Sequence, residues 1–193
     1  MYEFIEGEIV EKSPAHLVVK SGPVAYFIHI SVNTYTHINS NAVNRIYLHY
    51  IVREDAHLLY GFSSREEREI FRALLSVSGV GANTARLILS AQTPDEVTQS
   101  ILSGNVAALQ AIKGIGAKSA QRIIVDLRDK VGKGAEIDQL FNPGGNTGRE
   151  EALSALVALG FPKKVVEKNL NKIVSRQNDL SVEEIVKAAL KMM

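Results

Sequence analysis

Gly79-Val80-Gly81-Ala82-Asn83-Thr84-Ala85-Arg86-Leu87-Ile88-Leu89 returns 35 residues later as Gly114-Ile115-Gly116-Ala117-Lys118-Ser119-Ala120-Gln121-Arg122-Ile123-Ile124. Both glycines, the alanine after them, the second alanine and one isoleucine are identical, and Val/Ile and Thr/Ser are conservative exchanges. A Gly-apolar-Gly turn of this kind joins two helices. Glycine permits positive φ and close approach of another backbone. The apolar residue between the glycines, Val80 or Ile115, anchors the turn in a core, and the second helix starts at once. Its free amides and the positive end of its dipole then face outward, ready to hold a phosphate. Ala85 and Ala120 are small enough to let the paired helices pack closely. A grip built from main-chain donors needs little net charge and reads no base. Lys118 and Arg122 add cations in the second copy; in the first, Asn83 stands at the Lys118 position and Arg86 supplies the charge. One such turn is as well explained as a packing motif without ligand. Two copies with matching flanks favour a pair of phosphate sites, set to touch both strands across one minor groove of duplex DNA of any sequence.

Outward from the repeat the chain changes character. Towards the N-terminus, short runs rich in β-branched and aromatic residues follow one another: Ile9-Val10, His16 to Val19, Val24 to Ile30, Arg45 to Val52 and His57 to Tyr60. Ser13-Pro14 and Ser21-Gly22-Pro23 supply turns. Five or six short strands in about 60 residues predict a small closed barrel, because closure removes exposed sheet edges. The switch to helix falls at Ser63-Ser64. Ser64 and Glu67 spell a capping box before Ile70, Phe71, Leu74 and Leu75 at helical spacing. Thr93-Pro94-Asp95-Glu96 is a second helix start, with proline at the first position. Residues 131–148 are rich in glycine and poor in apolar side chains, the composition of a flexible linker. Beyond it three short helices are expected near 149–159, 162–175 and 182–192, the last opened by a third capping box, Ser181 and Glu184. The fold class is therefore α+β, and the linker separates two folded units.

Composition narrows the function. The net charge of +1 excludes a uniformly basic nucleic-acid coat, so any DNA binding depends on local geometry. The absence of cysteine excludes disulfides and zinc–thiolate sites and fits a reducing, cytoplasmic setting. No apolar run is long enough for a membrane span, and the acidic start is unlike a signal peptide. His16, His29, His37, His49 and His57 form no helical metal pair, and neither a G-x-S-x-G nor a phosphate-loop sequence is present. Gly116-Ala117-Lys118-Ser119 echoes only the end of such a loop, so ATP hydrolysis is not expected. Glu54-Asp55 reads first as a solvated turn and second, weakly, as a metal-binding pair.

With these features in place, the chain resembles the RuvA family of Holliday-junction-binding subunits. Val52-Arg53-Glu54-Asp55-Ala56-His57-Leu58-Leu59-Tyr60-Gly61-Phe62, the stretch from Ile112 to Ile124, and Ala158-Leu159-Gly160-Phe161 carry the resemblance. It implies an OB-like β-barrel over 1–62, a tandem helix–hairpin–helix domain over 63–130, the linker over 131–148, and a three-helix domain over 149–193 that binds a motor ATPase. It implies a non-catalytic subunit, without cofactor or metal, that binds a four-way DNA junction. The subunit loads the RuvB hexameric ATPase for branch migration in recombination and repair, beside the RuvC resolvase. Its assembly would be a homotetramer, with one or two tetramers around a junction left open. Among site residues it implies DNA contacts at Gly79, Val80, Gly81, Asn83, Arg86, Gly114, Ile115, Gly116, Lys118 and Arg122. Glu54 and Asp55 become an acidic pin at the crossover. Leu156, Leu159 and Phe161 become candidates for motor docking, with a place in their own domain's core as the plainer alternative. Asn83 departs from the basic residue common there, and Glu3 and Glu6 replace residues that are often basic. The alternative from another class is a helix–hairpin–helix repair enzyme, a glycosylase or nuclease, using Asp126 or Asp129; nothing in the sequence signals a pocket for a flipped base.

Overall fold

The computed structural model describes residues 2–39, 44–128, 148–174 and 180–192. They form two compact units, one ending at residue 128 and one starting at 148. The linker expected over 131–148 lies outside the described residues apart from its last position, as does Asp129.

The first unit opens with five strands: β1 (Phe4–Lys12), β2 (His16–Ser21), β3 (Val24–Ile30), β4 (Asn44–Val52) and β5 (His57–Phe62). They close in the order β1-β2-β3-β5-β4, with β3 and β5 parallel and β1 hydrogen-bonded to both β2 and β4. This is a five-stranded OB-type barrel. Alternation sends Leu17, Val19, Ile28, Ile30, Ile46 and Leu48 inward, where each is 2% exposed or less. A short helix absent from the sequence reading, α1 (Val32–His37), lies between β3 and β4; Ser31 caps it by accepting from the Thr34 amide. Six residues carry too little periodicity for such a helix to show in the sequence.

Helices follow: α2 (Arg65–Leu75), α3 (Ala82–Ala91), α4 (Pro94–Ser103), α5 (Val106–Gln110) and α6 (117–128). Barrel and helices share a core. Tyr60 and Phe62 from β5 pack against Phe71 of α2, with ring centroids at 5.2 and 4.9 Å, and His49 lies at 5.5 Å from the same ring. Phe71 is wholly buried, so Phe71→Ala leaves a large cavity and is expected to lower stability by about 3–5 kcal/mol, read from the midpoint of chemical denaturation.

The second unit holds α7 (Gly148–Ala158), α8 (Lys163–Val174) and α9 (Val182–Leu190) around Leu153, Leu156, Val166, Leu170 and Ile185. The boxes at Thr93/Glu96 and Ser181/Glu184 are reciprocal as the sequence predicts. The box at Ser64/Glu67 is not. Ser64 accepts from the Glu67 amide, but the Glu67 carboxylate turns towards the barrel instead of back to the cap, because buried donors meet it there.

Candidate nucleic-acid interface

The two hairpins correspond position by position in burial, hydrogen bonds and turn conformation. Leu74 and Leu109 are fully buried at the ends of α2 and α5, and Val77 and Ile112 follow at 2% and 7% exposure. Val80 donates its amide to Val77 O and Ile115 to Ile112 O, both at 3.0 Å, so each turn folds back on its buried residue. Gly79 and Gly114 hold φ of +88° and +93°, the left-handed conformation for which glycine is needed. Val80 and Ile115 are each 6% exposed and serve as anchors rather than as open contacts. Ala85 and Ala120 have no exposed surface, as close helix pairing requires. The equivalences 74/109 and 77/112 extend the repeat beyond the glycines; in the sequence they look like ordinary apolar residues.

Gly81 and Gly116 differ in kind from Gly79 and Gly114. Gly81 has φ −89° and ψ 171°, extended backbone that any residue adopts, and Gly116 is not among the glycines with positive φ. A Cβ built at either position meets nothing within 4 Å. Their carbonyls accept the first helical bonds, from Ala85 at 2.9 Å and Ala120 at 3.0 Å, which makes each glycine a helix cap without a side chain. α1, α2, α4 and α5 are all capped by a Ser, Thr or Asn side chain, whereas α3 has no side-chain cap bond. The amides of Ala82 and Asn83, and of Ala117 and Lys118, belong to first helical turns and have no acceptor among the described residues; Asn83, Ala117 and Lys118 are exposed, whereas Ala82 is buried. Two unpaired donor sets thus repeat across the domain, each behind a glycine cap with open space for an anion to come close.

Cations flank them. Asn83 and Lys118 are exposed beside the two caps. Arg86 donates to Ala15 O at 3.2 Å, holding α3 to the barrel's first turn. Arg122 donates to Ser78 O at 3.2 Å, so the second copy's helix braces the first copy's turn. At the position equivalent to Arg122 the first copy has Leu87, which lines an open cleft together with Ala111 and Lys113. Burial, then the Arg86 and His16 charges, hold His29 below the usual histidine range; burial and Arg72 do the same to His49. Both imidazoles are thus uncharged near neutral pH and add no attraction for phosphate. Among the described residues no His/Asp/Glu cluster is arranged to hold a metal ion.

The two acidic departures have structural partners. Glu6 takes Arg45 at 2.7 Å and Glu3 takes Arg68 at 2.7 Å, and the Arg68 hydrogen bond lowers the Glu3 carboxyl below its ordinary range. Glu54 and Asp55 are exposed at the tip between β4 and β5, in a four-residue turn closed by Arg53 N to Ala56 O at 2.8 Å. Neither carboxylate has an ion-pair partner among the described residues, so the tip is a solvated negative point. Asp126 is exposed on α6. In the second unit Leu156 is fully buried, Phe161 is half-buried against the core, and Leu159 is 63% exposed.

Residues 1–61 match the family model of the RuvA N terminal domain, and residues 147–193 match that of the RuvA C-terminal domain. Residues 71–129, which hold both turns, match the SAM-like helix-hairpin-helix tandem. A protein of Christiangramia forsetii is 46% identical over 191 residues, covering 99% of both chains. One from Parabacteroides distasonis is 46% identical over 198 residues, covering 100% of both. The chain belongs to the RuvA family. Both relatives, like one from Bacteroides fragilis at 43% identity over 201 residues, are described as the Holliday junction branch migration complex subunit RuvA. Both relatives align with this chain over nearly its whole length, so the similarity spans barrel, hairpins and C-terminal helices. No helix among the described residues is long and apolar enough to cross a membrane.

Proposed function

We propose that this chain binds four-way DNA junctions as the structural subunit of a branch-migration complex, without catalysing a reaction itself. One observation supports this reading above others: two repeat-related helix starts, capped only by glycine, whose first amides have no acceptor among the described residues and whose glycines leave space for a phosphate. Gly79 and Gly114 shape the turns, Val80 and Ile115 anchor them, and the amides after Gly81 and Gly116 hold phosphates. Lys118 supports the second site and Asn83 the first, while Arg86 and Arg122 brace the frame and lend it positive charge. Such contacts ignore base sequence, as a mobile crossover demands.

In the assembly we envisage a homotetramer, because cyclic symmetry presents one identical site to each arm. The Glu54-Asp55 tips meet the crossover and repel backbone phosphates, by about 1 kcal/mol per close pair in water. The chain has no phosphate-loop sequence, so the motor is a partner, the RuvB ATPase, docked through the C-terminal helices at exposed Leu159. The RuvC resolvase acts on the same cytoplasmic assembly.

A gel-shift titration over a salt series tests the reading. The junction is expected to bind more tightly than a linear duplex of equal length, with log affinity falling linearly in log salt. Equal affinity for both contradicts junction selectivity. Incubation with magnesium should leave every junction strand intact; cleavage favours the repair-enzyme alternative. Glu54→Gln with Asp55→Asn is expected to keep or strengthen junction binding while altering motor-driven branch migration. A loss of affinity beyond about tenfold, or 1.4 kcal/mol, contradicts the repulsive role.

A further inference from the structure

The Glu67 carboxylate, diverted from its capping box, is wholly buried. It accepts hydrogen bonds from Ser31 Oγ, from Thr34 Oγ1 at 2.7 Å, from Ser63 Oγ at 3.1 Å and from Ser63 N at 3.3 Å. Burial of a carboxylate is costly unless donors saturate it, and here they come from three elements: the cap of α1, α1 itself, and the end of β5. The next residue, Arg68, is 4% exposed and reaches a different part of the barrel. Its Nη1 donates to Glu3 O at 2.9 Å and its Nη2 to Glu3 Oε1 at 2.7 Å, while the guanidinium lies 5.5 Å from the Tyr47 ring. Consecutive helical residues point about 100° apart. Helix α2 therefore grips the barrel in two directions, at α1 and beside the paired strands β1 and β4. β4 leads directly to the acidic turn, and α2 leads directly to the first hairpin turn.

We infer that Glu67 and Arg68 are positioning residues: they fix the acidic turn relative to the two phosphate-holding turns, and junction selectivity depends on them although neither faces DNA. The inference rests on the reading proposed above. Attraction along the arms and repulsion at the crossover select a four-way junction only when their spacing is held. A single duplex needs no such spacing, only the hairpins.

The chain has no cysteine, so a Val52→Cys, Leu87→Cys pair takes spin labels at the end of β4 and on α3, at residues 60% and 51% exposed. Full-length labelled protein, diluted into unlabelled protein to suppress distances between subunits, is compared with the same pair carrying Glu67→Gln or Arg68→Lys. Folding is checked by circular dichroism. The expected result is a label-distance distribution about twice as broad, duplex affinity within about twofold, and a junction-over-duplex preference reduced about fivefold. An unchanged distribution in a folded variant overturns the inference, whatever happens to binding. A broadened distribution with an unchanged preference sustains the positioning and overturns the turn-and-hairpin reading beneath it. If Glu67→Gln does not fold, Thr34→Val removes one donor at nearly constant volume, and the same outcomes apply to it.

Discussion

Gly81→Val combined with Gly116→Val is expected to give a folded protein that binds a four-way junction at least about a hundredfold more weakly, a loss of about 2.7 kcal/mol. The extended backbone at Gly81 suits valine, and no atom of the chain lies within 4 Å of a Cβ at either glycine. Glycine is only a moderate helix cap, so the exchange costs about 1 kcal/mol or less per helix. The affinity loss arises because the methyl groups occupy the space in front of the free amides. Paired thermal denaturation and gel-shift measurements check both halves. A folded variant with full affinity contradicts the phosphate sites. Gly79 and Gly114 are poorer probes: at φ +88° and +93° a side chain strains the turn by about 1–2 kcal/mol, mixing folding with binding.

Leu159→Glu is expected to leave stability and junction binding unchanged and to reduce motor-driven branch migration at least about tenfold. The residue follows α7 and is 63% exposed, so the charge meets water rather than the core. An apolar anchor at a protein interface typically contributes about 2 kcal/mol or more, and a buried carboxylate opposes docking further. Leu156→Glu, at a fully buried position, should instead unfold the second unit. Branch migration assayed with the partner ATPase, beside a binding control, separates the two. Undiminished migration by Leu159→Glu places motor docking elsewhere.

Much of this was legible in the sequence for identifiable reasons. The hairpins announce themselves because turn geometry and close packing restrict Gly79, Gly114, Ala85 and Ala120 to small residues, and the restriction occurs twice. Alternating Leu17, Val19, Ile28 and Ile30 reveal the barrel because a closed sheet buries one face. The two reciprocal boxes are local hydrogen-bond patterns, so local sequence suffices. Tertiary contacts set the rest. Ser64-x-x-Glu67 spells a box, yet two of the carboxylate's partners, Thr34 and Ser31, lie 33 and 36 residues away. Arg122 reads as a free cation, but its Ser78 partner becomes visible only once the repeat folds on itself. The sequence cannot separate Gly81 from Gly79, because backbone angles and nearby space distinguish them. Leu156 and Leu159 look alike until one faces the core and the other water.

The central claim is that main-chain amides at two repeated helix starts hold the phosphates of a junction arm. A crystal structure of the full-length protein with a synthetic four-way junction measures this directly. The account predicts phosphate oxygens within about 3 Å of amides in residues 81–83 and 116–118. DNA bound elsewhere, with those amides facing solvent, contradicts it.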